Sequence, residues 1–384
     1  MIGSTTSQPA TARAQKAPPG DWPRVELLAP VSSLPALDVP GATLSNVELS
    51  ELMGRIPAEL SERGIDREIE LSTPEFPLER LGVRSRGVLD AAWSTRGLAL
   101  DAARRSLSES GVDPADVRCV IVSTVTPDMA FPALATAVHR DLALAPEADA
   151  FDVTIGCSGF LVALGIAARR LASEPEGAAA LVVASEAMVR LADASDRATC
   201  TIFGDGAGAV VLRRSARVGV HPVHTWTLGE HGPRIEARAP ADGAPSPLFR
   251  FTARAGRLAV EEDHASRHRL VLDGRRVFRD MVRTLPGLIR AYLDREQLSL
   301  AEVDHVLFHQ ANQRMVEAVA SAPELGLGAE RVPSNIAEVG NTASASLPIL
   351  LAASVRSGRI SPGDRALLVG FGSGYSIAIA HLTV

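Results

Sequence analysis

Two pairs of segments in this chain repeat one design, and they do so in the same order. The first pair is LALDAARRSLSESGVDPADVRCVIVSTVTPD, residues 98–128, and LPGLIRAYLDREQLSLAEVDHVLFHQAN, residues 285–312. Each reads as an amphipathic helix, a short loop with a DV or VD step, then a buried strand ending in polar residues. The second pair is IFGDGAGAVVL (202–212) and VGFGSGYSIAIAHL (369–382), a glycine-rich turn feeding an apolar strand. ALVVASEA (180–187) and RALLVGFG (365–372) lead into that element as strands. One matching pair is what any α/β chain shows. Two pairs in one order predict an internally duplicated α/β fold, with halves at 24–214 and 215–384. Helices alternate with apolar β-rich runs in both, so the sheets are expected to be covered on their faces.

Composition agrees with buried sheets. Hydrophobic residues make up 46% and aromatics only 4%, so the core packs through small side chains. The net charge of -6 supplies no basic field for nucleic acid. No apolar run reaches the about 18 residues of a membrane span. The first residues carry no apolar stretch of a secretory signal. Their Ser, Thr, Ala and Pro content predicts a flexible tail over 1–23. Three cysteines, Cys119, Cys157 and Cys200, make no disulfide framework and suit a reducing cytoplasm. The charged stretch 54–75 is expected near the entrance to a site. The His-, Pro-, Arg- and Gly-rich segment 213–273 is expected to form strands and loops over a site or an interface.

In FDVTIGCSGFLVALGIAARRL, residues 151–171, Cys157 stands where a strand turns into a helix. Free N–H groups and the dipole at a helix start favour a thiolate, the form a nucleophilic cysteine needs. A small residue buried at a helix start is the other reading of the same position. Cys119 and Cys200 sit inside apolar strands. His309 ends the apolar run VLF and opens the polar burst HQAN; ligand sites lie at such strand ends, and a histidine there is an acid–base candidate. A helix cap is its plainer reading. Asn341 in AEVGNTASASLP reads as a helix N-cap or as a donor to an oxyanion. GFGSG (370–374) brings backbone close to such a site. GDGAG (204–208) lacks the Lys-Ser/Thr of a phosphate loop. The pairs His221/His224 and His264/His268 lack a third metal ligand. Asp205 and EED (261–263) read as caps or surface.

Taken in order, CSGF (157–160), IFGDGAGAVVL, HQAN (309–312), GNTASAS (340–346) and GFGSG resemble the β-ketoacyl-acyl-carrier-protein synthase III family of the thiolase superfamily. The matching motifs run from about residue 78 to the C-terminus. The resemblance implies the thiolase fold, two α/β halves in an αβαβα arrangement, and a Cys157–His309–Asn341 triad. It implies an oxyanion site made by the backbone N–H groups of Cys157 and Ser373. It places Arg80, Arg190 and Arg314 along a pantetheine tunnel. Phe131 matches a residue that crosses a dimer interface and shapes the acyl pocket. A family tryptophan that stacks on the CoA adenine falls near Phe76. GFGSGYS lacks the second cysteine of thiolases, and Asn341 stands where elongating synthases carry a second histidine.

The implied activity is acyl transfer to Cys157, then decarboxylative Claisen condensation with a malonyl thioester, in fatty-acid, polyketide or other secondary metabolism. The substrates are acyl-CoA or acyl-carrier-protein thioesters, with no metal or redox cofactor. The implied assembly is a cytoplasmic homodimer. Transfer of the acyl group from Cys157 to an alcohol or amine is the alternative on the same fold. A non-catalytic partner subunit would not need Cys157, His309 and Asn341 together, and a cysteine hydrolase leaves Asn341 without a role.

Overall fold

The computed structural model describes residues 22–384 apart from 63, 66, 239–247 and 264–268. His264 and His268 therefore lie outside the described residues, as does the expected tail up to residue 21. The tail reading does not extend to Trp22. Its ring is buried, its Nε1–H donates to the Val220 carbonyl at 2.9 Å, and the Arg169 guanidinium lies 4.8 Å from its centroid.

Nine strands form two sheets with the same plan. In the first half they are β1 (Val25–Ser33), β2 (Val117–Ser123), β3 (Asp149–Val153), β4 (Ala179–Ala187) and β5 (Asp205–Arg214), in the order β1-β5-β4-β2-β3. In the second half β6 (His224–Thr227), β7 (His305–Phe308), β8 (Arg365–Phe371) and β9 (Ser376–Thr383) follow the order β6-β9-β8-β7. Sense matches too. β1 and β6 run antiparallel to β5 and β9, which run antiparallel to β4 and β8, which run parallel to β2 and β7. The repeated motifs thus occupy equivalent strands of a duplicated fold.

Helices fill three layers around the sheets. α1 (Thr95–Ser110) and α2 (Leu134–Asp141) cover the outer face of the first sheet. α4 (Gly274–Arg295) and α5 (Gln313–Ala320) cover the outer face of the second. α3 (Gly159–Arg170) and α6 (Ser346–Arg356) lie between the sheets and share one apolar core with both. The sequence explains the assignment. α3 and α6 are apolar on nearly every side, as a helix packed on all faces must be. α4 is amphipathic: Val277, Met281, Leu285 and Ile289 are buried, whereas Arg276, Arg279, Arg283 and Arg290 face outward. Phe160 of α3 is fully buried, and truncation to alanine there costs about 3–5 kcal/mol.

This layering positions the chemistry. Cys157 follows β3, His309 directly follows β7, and Gly372–Ser373 follows β8. All three leave the C-terminal ends of parallel strands, where α/β sheets carry ligand sites.

Candidate active site

Cys157, His309 and Asn341 line one cavity of about 930 Å³. Each is placed by its own local device. Cys157 sits between Gly156 and the start of α3. Gly156 has φ +84°, and a Cβ on it would lie 1.9 Å from Ser373 Oγ, so only glycine lets the two loops meet. A Cβ on Gly372 would lie 2.8 Å from Cys157 Sγ. The backbone amides of Ser373 and of Cys157 itself point at the sulfur and favour its thiolate.

The helix start does not, however, lower the thiol. Cys157 keeps a partly exposed surface, but protein atoms surround its sulfur, and loss of water pushes the thiol up to about 12. The buried carboxylate of Glu186 adds to the rise. Burial outweighs the helix dipole, contrary to the expectation from position. The resting group is a thiol.

His309 is buried, and its backbone N–H continues the β7–β8 ladder to Val369 O at 2.8 Å. Its ring lies edge-on to Phe371, with centroids 5.3 Å apart. Its Nδ1 is 2.6 Å from Ser346 Oγ at the start of α6. Burial lowers the imidazole to about 3, so it is neutral at physiological pH. Asn341 does not cap a helix by the usual bond. Its Oδ1 accepts from Ala343 N at 2.9 Å, a local turn that leaves the Nδ2 donors for the cavity. Its backbone is stitched across the halves: Asn341 N donates to Ile202 O at 2.9 Å, and Gly204 N donates to Asn341 O at 3.1 Å. Duplication is what brings the cysteine of one half against the histidine and asparagine of the other.

Four side chains had roles the sequence did not reveal. Glu186 of β4 is fully buried. It accepts from Ser344 Oγ at 2.6 Å, Thr126 Oγ1 at 2.9 Å and Val125 N at 3.0 Å. Burial nevertheless raises its carboxyl to about 7. Ser344 and Ser346 lie inside GNTASAS, so their motif was visible though their partners were not. Arg197 follows Arg190 by one short loop and takes the place expected of it.

At the cavity mouth Arg80 and Arg314 are exposed and line the wall. Arg190 does not. Its guanidinium turns inward and donates to the carbonyls of Asp90 and Trp93 at 2.8 and 2.7 Å. Arg197 lines the mouth instead, stacked 4.2 Å from the Phe76 ring and ion-paired with Glu70. Glu70 brings the 54–75 segment to the entrance. Phe131 lines neither cavity of this single chain: it is 85% exposed on a loop between β2 and α2. Cys119 is buried in β2, and Cys200 is buried in the core beside Met53 Sδ at 3.6 Å. His221 stacks on His381, and His224 bonds Glu296 at 2.6 Å. Asp205, expected as a cap or on the surface, is buried and accepts from Leu89 N and Val189 N.

A second cavity, of about 740 Å³, also reaches Cys157. Val125, Ile155, Met188, Leu191 and Leu270 make it largely apolar. Cys157, Phe203 and Ile235 line both cavities.

A sequence comparison decides what this arrangement belongs to. The chain is 39% identical over 329 residues to the β-ketoacyl-acyl-carrier-protein synthase III of Sphingopyxis alaskensis, covering 85% of this chain and 94% of the relative. The chain belongs to the synthase III family. Its relative β-ketoacyl-acyl-carrier-protein synthase III 3 of Streptomyces coelicolor is 38% identical over 315 residues, 81% of this chain and 89% of the relative. The family descriptions "3-Oxoacyl-[acyl-carrier-protein (ACP)] synthase III" and its C-terminal counterpart match residues 151–229 and 293–384. Among solved structures, the priming β-ketosynthase of the R1128 polyketide pathway superposes with TM-score 0.77 at 30% identity, over 97% of this chain and 99% of that one. The synthase III of Pseudomonas aeruginosa gives 0.75 at 29%, over 94% and 98%. The fold is therefore the thiolase fold, and the chain is a condensing enzyme of the synthase III type. No helix among the described residues is long and apolar enough to cross a membrane.

Proposed function

We propose that Cys157 takes an acyl group from a thioester and passes it to a malonyl-derived enolate. The observation that carries this reading is the sulfur reached by two cavities, with two backbone N–H groups on it and two neutral donors beside it. The sulfur of Cys157 bonds the acyl carbon as its thiol proton passes to the departing pantetheine sulfur. The amides of Cys157 and Ser373 hold the developing oxyanion, and the pantetheine thiolate leaves with the proton. The acyl chain then lies in the apolar cavity along Val125, Met188 and Leu270. A malonyl thioester enters past Arg80, Arg197 and Arg314. Its C–C bond to the carboxylate breaks and CO2 departs. The enolate oxygen is held by His309 Nε2–H and Asn341 Nδ2–H. The enolate carbon bonds the acyl carbon, the thioester to Cys157 breaks, and one solvent proton restores the thiol. The product is a β-ketoacyl thioester. These steps balance with the two thioesters alone and call on no metal or redox group.

Arg275 at the start of α4 lines the mouth, and Arg276, Arg279 and Arg283 face outward along the same helix, which suits an acidic carrier protein as donor of the malonyl group. The exposed Phe131 and the free edge of β3 suit a homodimer in which a second copy covers the loop. A cytoplasmic setting suits the three free cysteines, which make no disulfide. The relatives are synthases, so transfer to an alcohol or amine is not favoured.

The test is intact-mass detection of acyl-Cys157 over a panel of acyl-CoA and acyl-carrier thioesters, followed by malonyl thioester. A β-ketoacyl product is expected, and Cys157→Ala is expected to take no label. A panel that leaves Cys157 unmodified throughout would overturn the covalent route. An Asn341→Ala variant that condenses at the wild-type rate would remove the role given to Asn341.

A further inference from the structure

The Ser373 amide meets the sulfur through a loop of unfavourable shape. Gly374 and Tyr375 have φ of +65° and +49°. The left-handed region costs a non-glycine residue about 1–2 kcal/mol, so surrounding contacts must hold Tyr375 there. Three segments do so. Its carbonyl accepts from Leu228 N at 3.0 Å. Its hydroxyl donates to Asp280 Oδ2 of α4 at 3.0 Å. Arg234 ion-pairs with the same carboxylate and brings its Nη1 to 3.3 Å from the phenol oxygen. The tyrosine ring is buried, with the His231 ring 5.1 Å away.

The hydroxyl is not needed to fill space, because phenylalanine has nearly the same volume. What it adds is direction. A phenol bonded to a carboxylate that is itself fixed by Arg234 permits one ring position and therefore one path for Gly372–Ser373–Gly374. A small shift matters here. The Ser373 hydroxyl already occupies the space where a Cβ on Gly156 would stand. The loop packs closely against Gly156 on that side, so loosening Tyr375 leaves the Ser373 N–H free to move away from Cys157.

We propose that Tyr375, tied to Asp280 and Arg234, is a positioning residue that sets the Ser373 N–H on the Cys157 sulfur and thereby the rate of acyl transfer to it. This inference rests on the reading of Cys157 as the acylated nucleophile. Tyr375 acts through Ser373, since it lines neither cavity that reaches the sulfur.

The test compares wild type, Tyr375→Phe and Asp280→Asn in the full chain. Acylation of Cys157 by acyl-CoA is followed by intact mass, and alkylation of the same thiol by iodoacetamide is followed against pH. Deleting an oxyanion donor outright costs about 10²–10³ in rate, and a loosened donor about 10-fold. Both variants are expected to acylate about 10-fold more slowly, with KM for the acyl donor within about twofold. Their alkylation curves are expected to move to higher pH, because an amide that has left the sulfur no longer favours the thiolate. A purely structural tyrosine would lower thermal stability and leave the alkylation curve in place. Wild-type acylation rate and curve in both variants would overturn the proposal. If no donor acylates wild type, the reading of Cys157 fails. The alkylation curve then still decides on Tyr375, because it reads the thiol without a substrate.

Discussion

The Nδ1 atom of His309 lies 2.6 Å from the hydroxyl of Ser346. Ser346 Oγ already accepts a long bond from Gln310 N at 3.4 Å. Donation from the hydroxyl to Nδ1 is the arrangement in which the ring presents a donor to the cavity. The imidazole hydrogen is then on Nε2, toward the cavity. A neutral histidine in that form offers the donor that the proposed enolate needs.

Ser346→Ala is expected to lower the rate of malonyl decarboxylation and condensation about 5–10-fold, the equivalent of one lost hydrogen bond of about 1 kcal/mol. Acylation of Cys157 is expected to change less, since it uses the Ser373 amide. Separate single-turnover measurements of the two half-reactions check this. Equal losses in both would mean that Ser346 holds the site as a whole and not the tautomer.

The raised thiol sets the pH behaviour of Cys157. A thiol at about 12 gains thiolate tenfold per pH unit throughout the range below that value. Iodoacetamide alkylation is expected to climb about tenfold per unit from pH 7 to 9 without levelling. An ordinary thiol would begin to level near pH 9. Glu186→Gln removes the buried anion that contributes to the rise, so its curve is expected to lie at lower pH. A plateau below pH 8 in wild type would contradict the burial argument.

Gly372→Ala is expected to abolish acylation while leaving a folded protein. The new methyl would stand 2.7 Å from Cys157 Cβ and 2.8 Å from Sγ, so either the cysteine or the Ser373 amide must move. Residual activity below about 1% is the expected outcome, read by intact mass. Circular dichroism confirms the fold.

The two arginines are expected to separate cleanly. Arg197→Ala at the mouth should raise KM for CoA thioesters several-fold with little change in melting temperature. Arg190→Ala should do the reverse, because its guanidinium satisfies the carbonyls of Asp90 and Trp93. Losing charge-assisted bonds of this kind costs about 1.5–3 kcal/mol. Steady-state kinetics on both variants, with melting curves, distinguish the two.

Much of the fold and the centre of the site was legible in one dimension. Period and order are local properties of a chain. The repeated helix–strand units, the apolar α3 and α6 and the glycine turns therefore announced two equivalent halves. Cys157, His309 and Asn341 were legible because each stands at the polar end of an apolar run. The rest depends on what each side chain meets. Arg190 and Arg197 are both arginines of one short stretch, and only packing turns one toward Asp90 and the other toward Phe76. Trp22 reads as tail until Val220 is found beneath its indole. Position at a helix start argues for a thiolate at Cys157, but the removal of water around the sulfur, which no sequence pattern records, decides for a thiol. The sequence by itself determined the duplicated architecture and singled out Cys157, His309 and Asn341 as candidates. The tertiary structure alone decided their protonation, their supports in Glu186, Ser346 and Tyr375, and the wall each arginine faces, because burial and hydrogen-bond geometry arise only where distant segments meet.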